Sequence, residues 1–390
     1  MVIDWEDVIA AEKKEERRTI REFPCGVSVH RQNRSLIVTL PSKNWRALST
    51  GNFNGGFMSS PSAVFNTTSL GGTAEYSMMG KPKEIHNRYS KECAKLVGLD
   101  PSSTVGLGTA AHMDNAAICS TESNGIEISM AITGGIMING GRAGDPASYD
   151  EMERTYNKNG TIVIILIINA DLSDSALMGA MMTATEAKSR TLLKLMGKSL
   201  YSNGIATGSG TDQVAVLCNK KSRNKVIEHS NGSELAKAIR GCVEKTLAKA
   251  LDDQTMMNTE TQCNPYVMIS RHKISELNCH DEIRYPFKMK ILQKALKQTS
   301  EDAKAAAAVS GALHIMDEME WGLIPPDAGT LACREILRTS LRGPSMEDPV
   351  LKKRFDMTET PAETIRLAMA MILFDKAVEI GRKEAAEGSA

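Results

Sequence analysis

Three short stretches carry residue types able to do chemistry. The first runs from Thr207 to Asp212 as T-G-S-G-T-D, so that hydroxyls alternate with glycines and a carboxylate closes the run. Successive backbone N–H groups in such a loop can form a concave nest for an anion or a developing oxyanion. No Gly-Lys-Ser/Thr follows, so it is not a phosphate loop of the Walker type. It leads into a strand rather than a helix, so it is not a nucleophile elbow. The plain alternative is a hydroxyl-rich turn without chemistry. The second stretch is T-A-T-E-A-K, from Thr183 to Lys188, whose Glu186 and Lys188 are the only charges between Leu177 and Ser189. Partial burial raises a carboxylate's pKa, which makes Glu186 a candidate general acid or base, and Asp212 is a second one. Lys188 is placed to hold a substrate carbonyl. Two positions apart on a helix, Glu186 and Lys188 cannot pair, and two charges satisfied by loop backbone are the bland reading. The third stretch is His112-Met113-Asp114-Asn115, which as a strand would put His112 and Asp114 on one face. The other six histidines show no ligand spacing, so a dedicated metal site is unsupported.

Two glycine-rich bends add polar groups. Asn54-Gly55-Gly56 reads as a tight turn or as a close backbone approach to a ligand. Asn139-Gly140-Gly141-Arg142 continues to Gly144 and Asp145; an Arg142–Asp145 pair bracing the loop and an anion or amide grip are equally open.

The elements that must position these residues are legible around the apolar run from Thr161 to Asn169. It is too short for a membrane span and too β-branched for a helix, and it predicts a strand buried on both faces. A long helix follows from about Ser173. Its apolar arc holds Leu177, Met181, Leu192 and Leu195, and its small-residue face holds Gly179, Ala180, Thr183, Ala184 and Ala187. A second apolar run, Val214 to Cys218, follows the hydroxyl loop. Upstream, the pattern predicts a surface helix over 4–21, a hairpin with strands 27–31 and 35–40, a strand over 62–68, a helix over 84–97, and strands over 117–121 and 126–133. Downstream, helices are expected over 233–251, 287–296, 303–321, 329–341 and 361–384, the last opened by a capping box at Thr360 and Glu363. The expected class is α+β or mixed α/β: a layered sheet with a buried central strand and packed helices over 1–255, a linker over 256–280, and an all-helical region over 281–390.

Lysine plus arginine equals aspartate plus glutamate at 47 each, so no charge excess argues for nucleic acid or an anionic membrane. Eight cysteines lie without a C-x-x-C pair, which argues against a zinc ribbon or a disulfide framework. The N-terminus lacks a signal-peptide pattern, and a cytoplasmic location is expected. The 22 methionines are read mostly as core filler.

Taken together and in order, Asn54–Gly56, Gly106–Ala116, Ile138–Pro146, the Gly160-Thr161-Ile162 entry to the apolar run, Thr183–Lys188 and Ala206–Asp212 resemble the adenosylcobinamide amidohydrolase family (CbiZ). The resemblance covers roughly residues 25–220. It implies an enzyme of corrinoid salvage that hydrolyses the amide between the corrin side chain and aminopropanol of adenosylcobinamide. The products are adenosylcobyric acid and 1-amino-2-propanol. Cobalt then arrives with the substrate, and no other cofactor is expected. Ser209 stands where many members of the family carry threonine, which keeps the hydroxyl. On this reading Glu186, Asp212, Thr211 and Ser209 are the catalytic candidates. Asn54, Gly55, His112, Asp114, Asn115, Asn139, Arg142, Thr185, Lys188 and Thr207 are the candidates for holding the amide-rich corrinoid. The helical C-terminal region either packs on the catalytic part or serves as a homo-oligomer interface. A corrinoid-binding or sensing protein without turnover is the alternative, separated by release of aminopropanol. A nucleotide enzyme is disfavoured by the missing Walker lysine.

Overall fold

The computed structural model describes residues 5–68, 83–147, 149–150, 155–156, 161–282 and 287–387, so Gly160 lies outside the described residues. The fold is α+β, and the chain divides into two compact units, 1–258 and 259–390.

The first unit is built on two sheets. One has the order β1-β2-β3-β6-β7, with β1 Arg18–Glu22, β2 Ser28–Gln32, β3 Ser35–Thr39, β6 Ala63–Thr68 and β7 Thr104–Thr109. The other has the order β5-β4-β16-β13-β9-β8. Its strands are β4 Trp45–Ser49, β5 Gly56–Ser59, β8 Ala117–Ser123, β9 Ile126–Gly134, β13 Ile162–Ile168 and β16 Gln213–Asn219. Short pairs complete the set: β10 Gly140–Gly141 with β15 Gly208–Ser209, β11 Tyr149–Asp150 with β12 Thr155–Tyr156, and β14 Asp171–Leu172 with β17 Lys225–Val226. Among the described residues, four helices flank the sheets: α1 Trp5–Ala11, α2 Lys83–Leu96, α3 Asp174–Lys194 and α4 Glu234–Thr255.

The central strand β13 explains the layering. It runs parallel to β16 and antiparallel to β9, and all seven of its residues are buried. Strand side chains alternate, so its two aliphatic faces need two partners. Ile162, Ile164, Leu166 and Ile168 share a core with Leu177, Ala180 and Ala184 of α3 and Ile239, Val243 and Leu247 of α4. Val163, Ile165 and Ile167 share one with Val29, Val38, Val64 and Val105 of the first sheet. That sheet turns Ile37 and Phe65 the other way, to Trp5, Tyr89 and Cys93 of α1 and α2. The result is four layers: helices, sheet, sheet, helices.

Three expectations need correction here. The helix expected over 4–21 is confined to Trp5–Ala11, and Arg18–Glu22 is an edge strand whose five residues are all exposed. Such a strand is held by backbone pairing to β2 and leaves no apolar period to read. Residues 256–280 are not a bare connection. Helices at Thr259–Gln262, Pro265–Ile269 and Glu276–Asp281 belong to the second unit, and Tyr266, Ile269, Ile274 and Cys279 are buried in its core. Finally, Cys119 of β8 and Cys242 of α4 form a disulfide spanning 123 positions, although no spacing in the sequence announces it.

The second unit is helical, with longer helices at Met289–Ser300, Ala303–Glu320, Pro326–Arg338 and Pro361–Glu387. The last begins with half of the expected box: the Glu363 N–H donates to the Thr360 hydroxyl, but the Glu363 carboxylate accepts the Glu359 N–H, one residue ahead of the cap. A buried two-pronged ion pair, Arg271–Asp317, lies in its core. No helix among the described residues is long and apolar enough to cross a membrane.

Candidate functional site

The register of the second sheet gathers the glycine-rich loops at one edge. Gly134 at the end of β9 faces Ile162 at the start of β13, Val163 faces Gln213 at the start of β16, and Ser49 at the end of β4 faces Ala215. Loops 50–55, 135–142 and 207–212 therefore project from the same end. The loop after β7 joins them, because the Gly108 N–H donates to the Gln213 side chain at 3.1 Å.

Asp212 organises the hydroxyl loop. Its Oδ1 accepts the Ile162 N–H at 3.0 Å and the Ser209 hydroxyl at 2.6 Å. Its Oδ2 accepts the Ser209 N–H at 3.0 Å and the ammonium of Lys188. Lys188 comes from the buried side of α3, and the two side chains are only 9% and 11% exposed, so the pair is nearly dry. Glycine at 208 is required by this contact: a Cβ there would overlap both the Asp212 carboxylate and the Lys188 ammonium. The charge on α3 that needed a partner finds it 24 positions away, in the loop the sequence singled out independently.

An open cleft of about 380 Å³ lies over this pair. Thr185, Lys188 and Ser189 of α3 form one wall, Thr207 to Gly210 the floor, and Gly141 to Ala147 with Tyr201 the other side. In the Arg142–Asp145 bend it is the bracing reading that the hydrogen bonds describe. Asp145 braces the loop, accepting the Arg142 N–H at 2.8 Å and the hydroxyls of Ser199 and Ser202. Burial works against the charged form of Asp145, but these hydrogen bonds outweigh it and hold its carboxyl below the usual range. The Arg142 side chain lies across Gly204 and lines the cleft, and its guanidinium has no hydrogen-bond partner among the described residues. The cleft thus offers two cations and one carboxylate-bound hydroxyl, a set suited to a polar carbonyl.

Other candidates are placed differently. The nest of free loop N–H groups does not form. Thr207 donates to the Gly141 carbonyl, Ser209 to Asp212, Gly210 to the Asn139 carbonyl and Thr211 to the Ser209 hydroxyl. The Thr211 hydroxyl is engaged by Thr161 at 2.8 Å and by Asn139. Asn139 is buried, and its side-chain amide oxygen Oδ1 accepts the Tyr201 hydroxyl at 2.5 Å. Glu186 is exposed, not partly buried: it sits on the side of α3 facing residues 228–232, where Asn231 donates to it at 2.6 Å. The premise of partial burial there fails. Thr185 is exposed at the cleft with its hydroxyl on the Met181 carbonyl.

Asn54 and Gly55 share the sheet end but do not line the cleft. The Asn54 amide bridges the Pro101 and Thr104 carbonyls, both at 2.7 Å, and a Cβ on Gly55 would strike the Gly51 carbonyl. The close approach is to the chain itself. His112 is not on a strand; it caps a 3-10 turn, Met113–Asn115. His112 and Asp114 are exposed, Asp114 meets Arg31 at 3.2 Å, and Asn115 donates to Gln254 at 3.0 Å. Among the described residues, no group of three histidine, cysteine or acidic side chains is arranged to hold a metal. Ser189, whose hydroxyl donates to the Thr207 carbonyl at 2.9 Å, and Tyr201 were not singled out in the sequence. Ser189 was within reach, since it follows Lys188 on the face of α3 that turns to the loop. Tyr201 lies in an irregular segment with no period to read.

Comparison with known proteins places this arrangement in context. An uncharacterized protein of Methanocaldococcus jannaschii is 30% identical, over 44% of this chain and 72% of its own length. A crystal structure of a protein from Pyrococcus horikoshii OT3 aligns with 62% of this chain and 82% of that one, at 12% identity and a TM-score of 0.26. A family model matches residues 21–259, more than half of the chain and all of the cleft, and by that match the protein belongs to the adenosylcobinamide amidohydrolase family, CbiZ.

Proposed function

We propose that the protein hydrolyses the amide joining the corrin side chain to aminopropanol in adenosylcobinamide, yielding adenosylcobyric acid and 1-amino-2-propanol. The observation carrying this reading is the convergence of Ser209, Lys188, Asp212 and Arg142 at one cleft within the family-matched region. The cobalt belongs to the substrate.

Amide hydrolysis needs an attacking group, a proton route to the leaving amine and donors for the oxyanion. Ser209 Oγ adds to the amide carbonyl carbon while its proton passes to Asp212 Oδ1, the acceptor it already contacts at 2.6 Å. The side-chain cations Lys188 and Arg142 stabilise the oxyanion, since four of the loop N–H groups, those of Thr207, Ser209, Gly210 and Thr211, are spent within the fold. The C–N bond breaks as the amine takes up the proton, leaving an acyl group on Ser209 that water removes. Thr211 is disfavoured as nucleophile by its bonds to Thr161 and Asn139, and Glu186 as base by its position on α3.

Incubation with adenosylcobinamide, read by mass, tests the reaction: cobyric acid and aminopropanol are expected in equal amounts. Binding without release of aminopropanol would instead identify a corrinoid-binding protein. Hydroxylamine trapping tests the acyl step, and full turnover by Ser209→Ala would remove Ser209 from the mechanism.

A further inference from the structure

The wall that α3 contributes to the cleft continues beyond it. Thr185 and Ser189, which line the cleft, lie on one helical face with Met178 and Met182, spaced four, three and four residues apart. Met178 is 55% and Met182 71% exposed. The adjoining face is already occupied: Gly179 lies against the His229 ring, Thr183 bonds His229 and Asn231, and Glu186 bonds Asn231. The opposite face is in the core. Two large thioethers are thus left side by side in water, next to the cleft and on the same surface. Adjacent exposed apolar side chains of this kind mark contact sites, and methionine adapts to broad, flat partners.

Size points to the occupant. The cleft, about 380 Å³, is near the lower end of the roughly 300–1,000 Å³ that serves drug-sized ligands. A corrinoid exceeds that class, so the cleft takes only one of its arms. The rest of the macrocycle stays outside the cleft, and the face of α3 that carries Thr185 continues to Met182 and then Met178.

We propose that Met178 and Met182 form an apolar shelf that receives the flat face of the corrin ring while its amide arm enters the cleft. This rests on the corrinoid reading above. The shelf makes the two methionines determinants of affinity for the ring, not of the bond-breaking step.

The test uses the full chain and the double variant Met178→Gln/Met182→Gln. Glutamine keeps side-chain length and helix propensity while removing the apolar surface. Cobinamide itself is the probe, titrated by calorimetry. Kd is expected to rise about tenfold or more, with Tm and the rate at saturating substrate unchanged. Ile227→Gln, 75% exposed on another segment, is expected to leave Kd alone. A Kd within about twofold of wild type overturns the shelf, as does an equal rise in Ile227→Gln. A drop in oligomer mass with Kd unchanged assigns the methionines to a contact between copies and also overturns it. Should the double variant lose Tm, Met182→Gln alone is judged by the same criteria. A wild type that binds cobinamide without releasing aminopropanol defeats the hydrolase reading and leaves the shelf judged on Kd; turnover with an unmoved Kd defeats the shelf alone.

Discussion

Removing the charge at 188 is the sharpest probe of the site. Lys188 and Asp212 are about nine-tenths buried, and the carboxylate accepts three further hydrogen bonds. Lys188→Met keeps the bulk of the stem but leaves an uncompensated carboxylate, and breaking a buried pair from one side costs about 3–5 kcal/mol. Asp212→Asn leaves the ammonium without a counter-charge and removes the oxygen that serves one pair of donors, either Lys188 with the Ser209 N–H or the Ile162 N–H with the Ser209 hydroxyl, a cost of about 3 kcal/mol. In the double variant neither charge remains, so the loss is expected to fall short of the sum by about 2 kcal/mol. Urea titration of the full chain measures this. A Trp321→Phe background confines the fluorescence to Trp5 and Trp45 of the first unit, and Trp45 is 1% exposed. Free energies follow by linear extrapolation at constant slope. Single losses below about 1 kcal/mol, or singles that add within about 0.5 kcal/mol, would refute the coupled pair on which the site is built.

Further outcomes follow from the same geometry. Ser209→Ala is expected to lower kcat by about a thousandfold or more and to abolish the hydroxylamine-trapped adduct, whereas Thr211→Val costs about 1–2 kcal/mol of stability and keeps the adduct. Glu186→Gln is expected to retain turnover within about threefold, because its carboxylate faces Asn231; a loss above about a hundredfold would return it to the mechanism. In the second unit, burial and the Arg271 guanidinium push the His272 imidazole down to about 4 against the opposing pull of Asp317. Between its ordinary value near 6.5 and about 4, the unfolded chain takes a proton that the folded one refuses. Stability is therefore full above that window and lost as pH falls through it, and His272→Asn is expected to flatten the pH dependence of the urea midpoint read at Trp321.

Much of the first unit was legible because its signals are local. The unbroken aliphatic run gave β13 to within a residue or two, and the small and large faces of α3 predicted which side would meet a neighbour. The hydroxyl loop and Lys188 stood out by residue type. Their contact did not, since it arises from a parallel pairing of β13 with β16 that no periodicity encodes. Glu186 shows the limit of reading one helix: partial burial is expected of a charge on a mostly apolar helix, but its surroundings are set by residues 228–232, far along the chain. Asn54 and Gly55 show another limit. A glycine turn against its own backbone and one against a ligand look alike until the contacting atoms are known.

The bond from the Ile162 N–H to Asp212 has a wider effect. With greasy side chains above and below, β13 has no wet side to choose which residues point up, so sliding it by one position would cost little in burial alone. The hydroxyl loop clamps its first residue through Asp212, and the Thr161 hydroxyl fastens to the Thr211 carbonyl beside it. The residues best suited to chemistry therefore also keep the innermost strand in alignment, and changes there will trade turnover against folding together.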